Sequence, residues 1–192
     1  MTHLPISATS LLSVIALSMP ASAGASDKPS SGNTFCGFSS KVRFAEGAPR
    51  DRFTVQNNSA SDWQITTVNL DMSSSAGNLI FDVTADGAGV EVFQPFRSED
   101  GEATLSAQPV VDDGDQIIIL EFSSFSPGDQ HQFSIDVDDQ LSQSELGQIR
   151  VSGGEITGAS ITLGITNQSG DEHSVSGLFD DSSWILLDSG NC

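Results

Sequence analysis

Tyrosine is absent from this 192-residue sequence, histidine occurs 3 times, and lysine and arginine together number only 7. The lack of tyrosine removes one common catalytic acid and sugar-stacking group. With 26 acidic residues the formal net charge is −19, and such a negative field disfavours binding to nucleic acid and to anionic membrane surfaces. A strongly acidic surface suits a salty exterior, where ions screen self-repulsion, and it also suits cation binding.

Long hydrophobic runs are also missing, since crossing a bilayer takes about 20 apolar residues and no run reaches that length. The apolar run around Leu11–Leu17 is followed by Ala21-Ser22-Ala23, a pattern typical of a secretory signal peptide and its cleavage site. We therefore predict a signal peptide at 1–23, a flexible polar leader at 24–34 and a single domain at 35–192. The mature protein is expected in the periplasm or outside the cell, without a membrane span.

Cysteine is scarce as well, with only Cys36 and Cys192. An even pair in an exported chain favours a disulfide. A metal pair would need a short spacing such as C-x-x-C, and a cysteine at the last residue is poorly placed to be a nucleophile. We predict a disulfide between Cys36 and Cys192.

The remaining sequence alternates between apolar and polar residues, as in "RFTVQN", "HQFSIDV" and "ASITLGIT", and turn-forming residues recur between these runs. This pattern predicts an all-β fold, an antiparallel β-sandwich or jelly-roll-like domain of about ten short strands. A change of phase at Thr66-Thr67 predicts a bulge or a change of sheet. "QIIILEF" is expected to be a central strand covered on both faces, and "DDQLSQSELGQ" a turn or one helical turn.

The aromatic residues are expected mainly in the core. Trp63 opens an alternating strand and Trp184 precedes an apolar run, so both positions favour burial over a role in sugar binding. The phenylalanines that we place on the inward phase are Phe53, Phe81, Phe93, Phe122 and Phe133.

Sequence signatures of catalysis are missing. His131 and His173 both occur in polar, turn-like contexts, and the chain has no Gly-x-Ser-x-Gly, His-Glu-x-x-His or Walker motif. These absences favour a non-enzymatic protein with no catalytic residue and no required cofactor. A glycoside-active enzyme stays an alternative, because a pair of carboxylates facing across a cleft cannot be recognised in sequence.

The stretch "FSIDVDDQL" places Asp136, Asp138 and Asp139 together, and "VDDGDQ" holds Asp112 and Asp115 with Asp113 between them. Oxygen ligands without histidine or cysteine suit Ca²⁺, so we take Asp136, Asp138, Asp139, Asp112 and Asp115 as candidate ligands. The spacing does not match an EF-hand. The alternative is that these acids form the solvated end of the sandwich.

Three stretches, taken as a set, resemble small exported proteins of marine bacteria that carry the label "aggregation factor core". They are "FTVQNNSASDWQITTVNLDMSSSAGNLIFDVTADGAGVEVFQPF", "FSPGDQHQFSIDVDDQL" and "LGQIRVSGGEITGA", within Phe53 to Ala159. The label implies a relation to cell-aggregation proteoglycans of sponges, which work with Ca²⁺. The resemblance implies an adhesion or matrix role and transfers no binding residue.

Together, these features predict a secreted, acidic, non-enzymatic surface or matrix protein that helps cells aggregate or adhere, with Ca²⁺ as a candidate cofactor. The alternative is a carbohydrate-binding or exopolysaccharide-associated module. The expected partners are extracellular polysaccharide or cell-surface proteins.

Overall fold

The alternating sequence folds into antiparallel strands joined by turns and loops, with one short helix, in the computed structural model, which describes residues 35–90 and 92–190. The first six strands are β1 (Ser39–Ala45), β2 (Arg52–Asn57), β3 (Gln64–Asp71), β4 (Ile80–Asp82), β5 (Arg97–Gly101) and β6 (Thr104–Leu105). The other six are β7 (Ile117–Ser124), β8 (Gln130–Ser134), β9 (Asp136–Asp138), β10 (Ser160–Thr166), β11 (Glu172–Leu178) and β12 (Trp184–Asp188). A four-residue helix, α1 (Gly153–Ile156), begins at the capping residue Ser152.

Two five-stranded sheets and one small ribbon make up the sandwich. The first sheet has the order β12-β1-β2-β8-β5, the second has the order β11-β10-β3-β7-β6, and β4 pairs with β9. All of these pairings are antiparallel. The predicted all-β antiparallel sandwich is therefore confirmed.

The core lies between the sheets because every second strand residue points inward. Its aliphatic part comes from both sheets and includes Val42, Val55, Val68, Leu120 and Leu163, each at most 1% exposed. Burial of such side chains contributes about 1.5 to 3 kcal/mol each relative to leaving them exposed.

The predicted bulge at Thr66-Thr67 is present. In the pairing of β10 with β3, Gly164 lies opposite Thr67 and Ile165 lies opposite Ile65, so Thr66 is the extra residue. Gly164 permits a close approach there: its N–H donates to Thr67 Oγ1 at 3.2 Å, and a Cβ at this position would collide with that hydroxyl. The shift of phase in the sequence thus records a real irregularity of the ladder.

Strand β7 differs from the sequence prediction because only one of its faces is buried. Ile118 and Leu120 point into the core, whereas Ile117 is 45% exposed and Ile119 is 51% exposed. In a two-layer sandwich the outer face of each sheet has no further layer over it, so a continuously apolar strand leaves some side chains outside. The prediction of cover on both faces was wrong.

The aromatic predictions hold for most positions and fail for two. Trp63 is buried, and its indole N–H donates to the Cys36 carbonyl at 2.9 Å. Trp184 is 45% exposed on the outer face of β12, and Phe93 is 42% exposed in the loop after β4. The other four phenylalanines are buried as predicted: Phe53, Phe81, Phe122 and Phe133.

Local backbone conformation also differs from the sequence prediction near the small helix. Residues 139–148, from the stretch "DDQLSQSELGQ", form bends and turns without a helix, which agrees with the predicted turn. Helix α1 follows it at Gly153 and was not predicted. Its capping box explains its place, since Ser152 accepts from the N–H of Glu155 and the Glu155 carboxylate accepts from the N–H of Ser152. No helix among the described residues is long and apolar enough to cross a membrane.

The predicted signal peptide at 1–23, the leader at 24–34 and Cys192 lie outside the described residues, so the Cys36–Cys192 disulfide stays a prediction. The two ends of the domain are neighbours: the N–H of Gly37 donates to the carbonyl of Gly190 at 2.8 Å. A disulfide needs Cα atoms within about 7 Å, which this pairing favours.

We expect peptide mapping without reductant to find Cys36 and Cys192 in one linked peptide. Closing a loop of this size stabilises a protein by about 5 kcal/mol at most in the chain-entropy model, so reduction should lower Tm. A Cys36→Ser variant supplies the control, because reductant should leave its Tm unchanged. Two free thiols in the untreated protein would contradict the pairing.

Candidate functional site

The ribbon of β4 and β9 gathers acidic side chains on one face. Asp82 pairs directly with Asp136, and Ile80 pairs with Asp138. Paired residues of an antiparallel ladder share a face, as do residues two apart on one strand. Asp82, Asp136 and Asp138 therefore project to the same side, while Phe81 and Val137 project to the other side and are buried.

These carboxylates are buried rather than solvated. Asp136, Asp138 and Asp139 are 0% exposed, and Asp82 is 3% exposed. The alternative prediction, a solvated acidic end of the sandwich, is therefore wrong for this cluster. Aspartate is almost never fully buried unless it is paired, so four such residues in one place require a compensating interaction.

Many of the carboxylate oxygens have no hydrogen-bond donor. Both oxygens of Asp136 are buried without a partner. One oxygen also lacks a partner in each of Asp82, Asp138 and Asp139. Leaving a buried charged group without a partner costs more than the ~1 to 3 kcal/mol typical of a neutral polar group. These orphaned oxygens point to a ligand or to protons that compensate the charge.

The loop after β4, with the sequence "TADGAGV", packs against this face through glycines. A Cβ added at Gly89 would collide with carboxylate oxygens of both Asp82 and Asp138, so these two side chains converge there. The backbone N–H of Val90 donates to Asp138 at 2.6 Å. A cavity of about 230 Å³ opens beside Asp82 and is lined also by Asp86 and Phe93. The loop thus covers the acids, and of these acids only Asp82 lines the cavity.

Asp113 lies at the edge of the same loop and is already satisfied. Its carboxylate accepts backbone N–H bonds from Val83 at 2.9 Å, from Thr84 at 3.1 Å and from Ala88. Although burial opposes ionisation, these donors hold the pKa of Asp113 below its usual value. Asp113 therefore stays ionised, fixes the loop and adds a negative charge near Asp82.

Asp51 joins the cluster from the turn before β2. It is 0% exposed and accepts N–H bonds from Gly47 at 2.9 Å and from Val137 at 3.0 Å. Burial raises the pKa of Asp51 to about 7 against these two donors, with further contributions from Glu46 and Asp138. We call Asp51, Asp82, Asp136, Asp138 and Asp139 the buried carboxylate cluster.

The mutual repulsion of these acids adds to the effect of burial. Burial raises the pKa of Asp136 to about 8, helped by the charges of Asp138, Asp51 and Asp82. Burial also raises the pKa of Asp138 to about 6 and the pKa of Asp82 to about 6, and neighbouring carboxylates act in the same direction. Near neutral pH the cluster is therefore poised between protonated and ionised forms.

No basic side chain compensates this charge within the part of the chain that the structure describes. The ion pair found there joins Arg150 to Glu46 at 3.0 Å, and Arg150 is exposed. Each ionised member of the cluster thus faces other carboxylates and backbone donors. Protons or an added cation must supply the missing positive charge.

A preformed metal site is not present. Among residues 35–90 and 92–190, no three acidic, histidine or cysteine side chains are gathered closely enough to hold a metal ion as they stand. The carboxylates of Asp82 and Asp138 converge at Gly89. Asp136 interacts with both of them through electrostatic repulsion. Ca²⁺ takes six to eight oxygens at about 2.3 to 2.6 Å, so binding would require side chains to turn toward one point.

The structure divides the candidate ligands into two groups. Asp136, Asp138 and Asp139 belong to the buried carboxylate cluster. Asp112 and Asp115 are exposed, and the Asp115 carboxylate accepts from the N–H of Asp112 at 2.8 Å within their own turn. The Asp115 carboxylate thus serves the turn itself, and the role of Asp112 and Asp115 as cation ligands together with Asp136 and Asp138 stays a prediction.

Sequence reasoning missed Asp51 and Asp82. Asp82 could have been found, since "LIFDV" places one acid inside an otherwise apolar run. Asp51 in "PRDRF" is flanked by arginines and carries no local signal of burial. Only the tertiary fold brings the two beside β9.

The two histidines of the described residues have no visible link to the cluster. His131 is 2% exposed on β8 and packs edge-on against Phe122, so its predicted turn context was wrong. Burial lowers the pKa of His131 to about 4, which keeps the imidazole neutral. His173 stacks on Phe35 with ring centroids 4.4 Å apart. Both serve aromatic packing.

Comparison with known proteins finds no relative of this chain, since no protein-family model matches the sequence and no curated protein matches it either.

Proposed function

We propose that this chain is a secreted, acidic, non-enzymatic surface or matrix protein that binds Ca²⁺ through its buried carboxylate cluster and helps cells aggregate or adhere. The observation that carries the proposal is the set of buried carboxylate oxygens without donors. The resemblance to aggregation factor core proteins gives the adhesion role, and the cluster gives its dependence on calcium.

Energetics favour a cation over empty ionised carboxylates. A shift of one pKa unit corresponds to about 1.4 kcal/mol, and four members of the cluster are shifted upward to about 6, 6, 7 and 8 from 3.8. Ionising all four would cost an amount comparable with the entire stability of a domain, about 5 to 15 kcal/mol. A folded protein at the pH of seawater therefore needs protons or a divalent ion here.

The chemistry of the donors favours Ca²⁺ among divalent ions. Every candidate donor is a hard oxygen, which excludes a preference for the soft metals that thiolates select. Ca²⁺ tolerates irregular geometry, whereas Mg²⁺ demands a near-ideal octahedron and gives up water reluctantly. Asp136, Asp138 and Asp82 would supply carboxylate oxygens as ligands of the ion. The glycine-rich loop that packs on these acids could add backbone carbonyl oxygens.

The test combines calcium binding with adhesion. Calorimetry at pH 8 should show Ca²⁺ binding with a Kd of about 10⁻⁴ to 10⁻³ M, the range of extracellular modules, and weaker Mg²⁺ binding. The double variant Asp136→Asn, Asp138→Asn should lose this binding. The matched control Asp112→Asn, Asp115→Asn removes the same charge from the surface and should keep it.

Beads coated with the protein should then cluster in millimolar Ca²⁺ and disperse in chelator, and the Asp136, Asp138 double variant should not cluster. Calcium binding without clustering would remove the adhesion role and leave a calcium-stabilised domain. Equal heats for the wild type and the double variant would contradict the site itself.

A further inference from the structure

Most basic side chains of this acidic protein lie on one surface, the outer face of the sheet β12-β1-β2-β8-β5. The chain has 7 lysines and arginines against 26 acids. Six of these bases lie within the described residues, and four of the six are exposed on this face: Lys41, Arg43, Arg52 and Arg97. None of the four forms an ion pair with a described carboxylate. We call this surface the basic sheet face.

Two apolar side chains lie beside these cations on the same face. Trp184 pairs directly with Arg43, and Leu186 pairs directly with Lys41. Trp184 is 45% exposed and Leu186 is 56% exposed. The ammonium nitrogen of Lys41 lies 5.0 Å from the centroid of the Trp184 ring, within cation–π range, which orients the ring. An exposed aromatic ring is thus held at the edge of a group of cations.

Amide and hydroxyl groups fill the centre of the face. Gln56 lies opposite Gln130, and its side-chain amide donates to the side-chain amide oxygen of Gln130 at 3.3 Å. Gln132 lies opposite Thr54, and its side-chain amide donates to the Thr54 hydroxyl at 3.3 Å. These side chains are half-buried, so they form an ordered surface. Each amide still has hydrogen-bonding capacity for an outside partner.

Acidic residues of this surface stand at its two edges. Glu99 and Asp100 lie on the edge strand β5, and Asp188 lies at the end of the opposite edge strand β12. The Glu99 carboxylate accepts from the Ser134 hydroxyl. The interior of the face is therefore basic and amide-rich, with its negative charge confined to the rim.

We propose that the basic sheet face binds an acidic polysaccharide. Arginine and lysine recognise carboxylate or sulfate groups, the glutamines exchange hydrogen bonds with hydroxyls, and Trp184 offers an apolar ring to a sugar face. Charges further away than a Debye length, about 8 Å at physiological salt, are largely screened, so the net −19 does not prevent contact at this face.

A second copy of the chain is the other partner with matching charge, since the rest of its surface is acidic. The amide rows and the exposed ring favour the polysaccharide, because they match hydroxyls and sugar rings rather than a dense set of carboxylates. This inference does not depend on calcium, and none of its residues belongs to the buried carboxylate cluster.

The experiment compares three polymers with one backbone: dextran, carboxymethyl dextran and dextran sulfate. The full chain is titrated at pH 6 in chelator, with tryptophan fluorescence and affinity electrophoresis as readouts. We expect both charged polymers to bind and to perturb the emission of exposed Trp184, with neutral dextran inactive. Added NaCl should weaken binding.

Variants locate the contact. Arg43→Gln and Trp184→Ala should each weaken binding roughly tenfold, the equivalent of about 1.4 kcal/mol per lost contact. Arg150→Gln removes the same charge outside this sheet, where Arg150 is paired with Glu46, and should change affinity by less than about twofold. Leu178→Ala is the matching exposed apolar control on the other sheet.

Equal losses in Arg43→Gln and Arg150→Gln would overturn the proposal, because they would show attraction by overall charge alone. Absence of binding to either charged polymer would overturn it as well. Sedimentation is measured in parallel: a dimer that Arg43→Gln abolishes, without polymer binding, would assign this face to a second copy. Calcium binding of each variant should match the wild type, which keeps the two proposals separate.

Discussion

In chelator, the protein is expected to lose stability as the pH rises from 5 to 8, and millimolar Ca²⁺ is expected to restore part of that loss at pH 8. The cause is the buried carboxylate cluster. Asp136 and Asp51 have pKa values of about 8 and about 7 in the folded protein, against about 3.9 for an unfolded aspartate.

The direction of the effect follows from proton binding. Between about pH 4 and pH 8 the folded state binds more protons than the unfolded state, because the folded pKa values are raised. The free energy of unfolding therefore falls as pH rises through this window, and it is highest near the pKa of unfolded aspartate. The carboxyl groups whose pKa values are lowered in the fold act in the opposite sense, so a net decrease identifies the cluster; they are Glu46, Asp113, Glu155 and Asp180.

The expected size is several degrees. Between pH 5 and its pKa of about 7, Asp51 alone loses about 2.7 kcal/mol of stabilisation, and each kcal/mol shifts Tm by about 2 to 4 °C at this chain length. Asp136 adds to this loss, so we expect Tm in chelator to fall by at least about 5 to 10 °C between pH 5 and pH 8. Calcium at ten times its Kd would return about 1.4 kcal/mol, and at one hundred times about 2.7 kcal/mol.

Scanning calorimetry at pH 5 and pH 8 measures this directly, in chelator, in Ca²⁺ and in NaCl of matched ionic strength. Calcium should add little at pH 5, where protons already occupy Asp136. A Tm in chelator that is equal or higher at pH 8 would contradict the raised pKa values. Equal stabilisation by calcium and by sodium chloride would reduce the effect to screening.

The sequence predicts the sandwich well because its signals are local. Alternation of period two decides the face of each strand residue, and Thr66-Thr67 even shows where the alternation slips. The signal fails where a strand is apolar on both faces. In "WILLD" and "QIIILEF" the sequence does not indicate which apolar residues face the solvent. The structure shows that the exposed ones are Trp184, Leu186, Ile117 and Ile119.

The candidate site is only half predictable, since it is assembled from distant parts of the chain. Asp136 and Asp138 stand out by their spacing, but their burial depends on the loop around Gly89, which the sequence does not connect to them. Asp51 and Asp82 belong to other turns and strands. The sequence around Asp112 and Asp115 is as rich in aspartate as the sequence around Asp136 and Asp138. The local number of acidic residues therefore cannot distinguish an exposed acidic turn from a buried carboxylate cluster.

Asp136→Asn should stabilise the protein in chelator at pH 8, although it replaces a fully buried native residue. Neither Asp136 oxygen accepts a hydrogen bond, so the change removes no partner, and the amide has nearly the same shape without the charge. The pKa of Asp136 is raised to about 8 in the folded protein. Removing its buried charge therefore increases the free energy of unfolding by about 1.4 kcal/mol for each pKa unit above the unfolded value. The new amide donors need partners, which subtracts about 1 to 3 kcal/mol. We expect a net gain of about 2 kcal/mol, or a Tm about 4 to 8 °C higher.

Three comparisons make that result specific to the cluster. At pH 5 the advantage of Asp136→Asn should vanish, because the wild-type carboxyl is already protonated there. In Ca²⁺ at one hundred times its Kd at pH 8 the order should reverse, because the ion then stabilises the wild type by about 2.7 kcal/mol and the variant by little. Asp112→Asn, an equal charge change on the surface, should stay within about 0.5 kcal/mol of wild type in every buffer. A variant less stable than wild type at pH 8 in chelator would show that Asp136 has a partner in solution, and the cluster would then need no added cation.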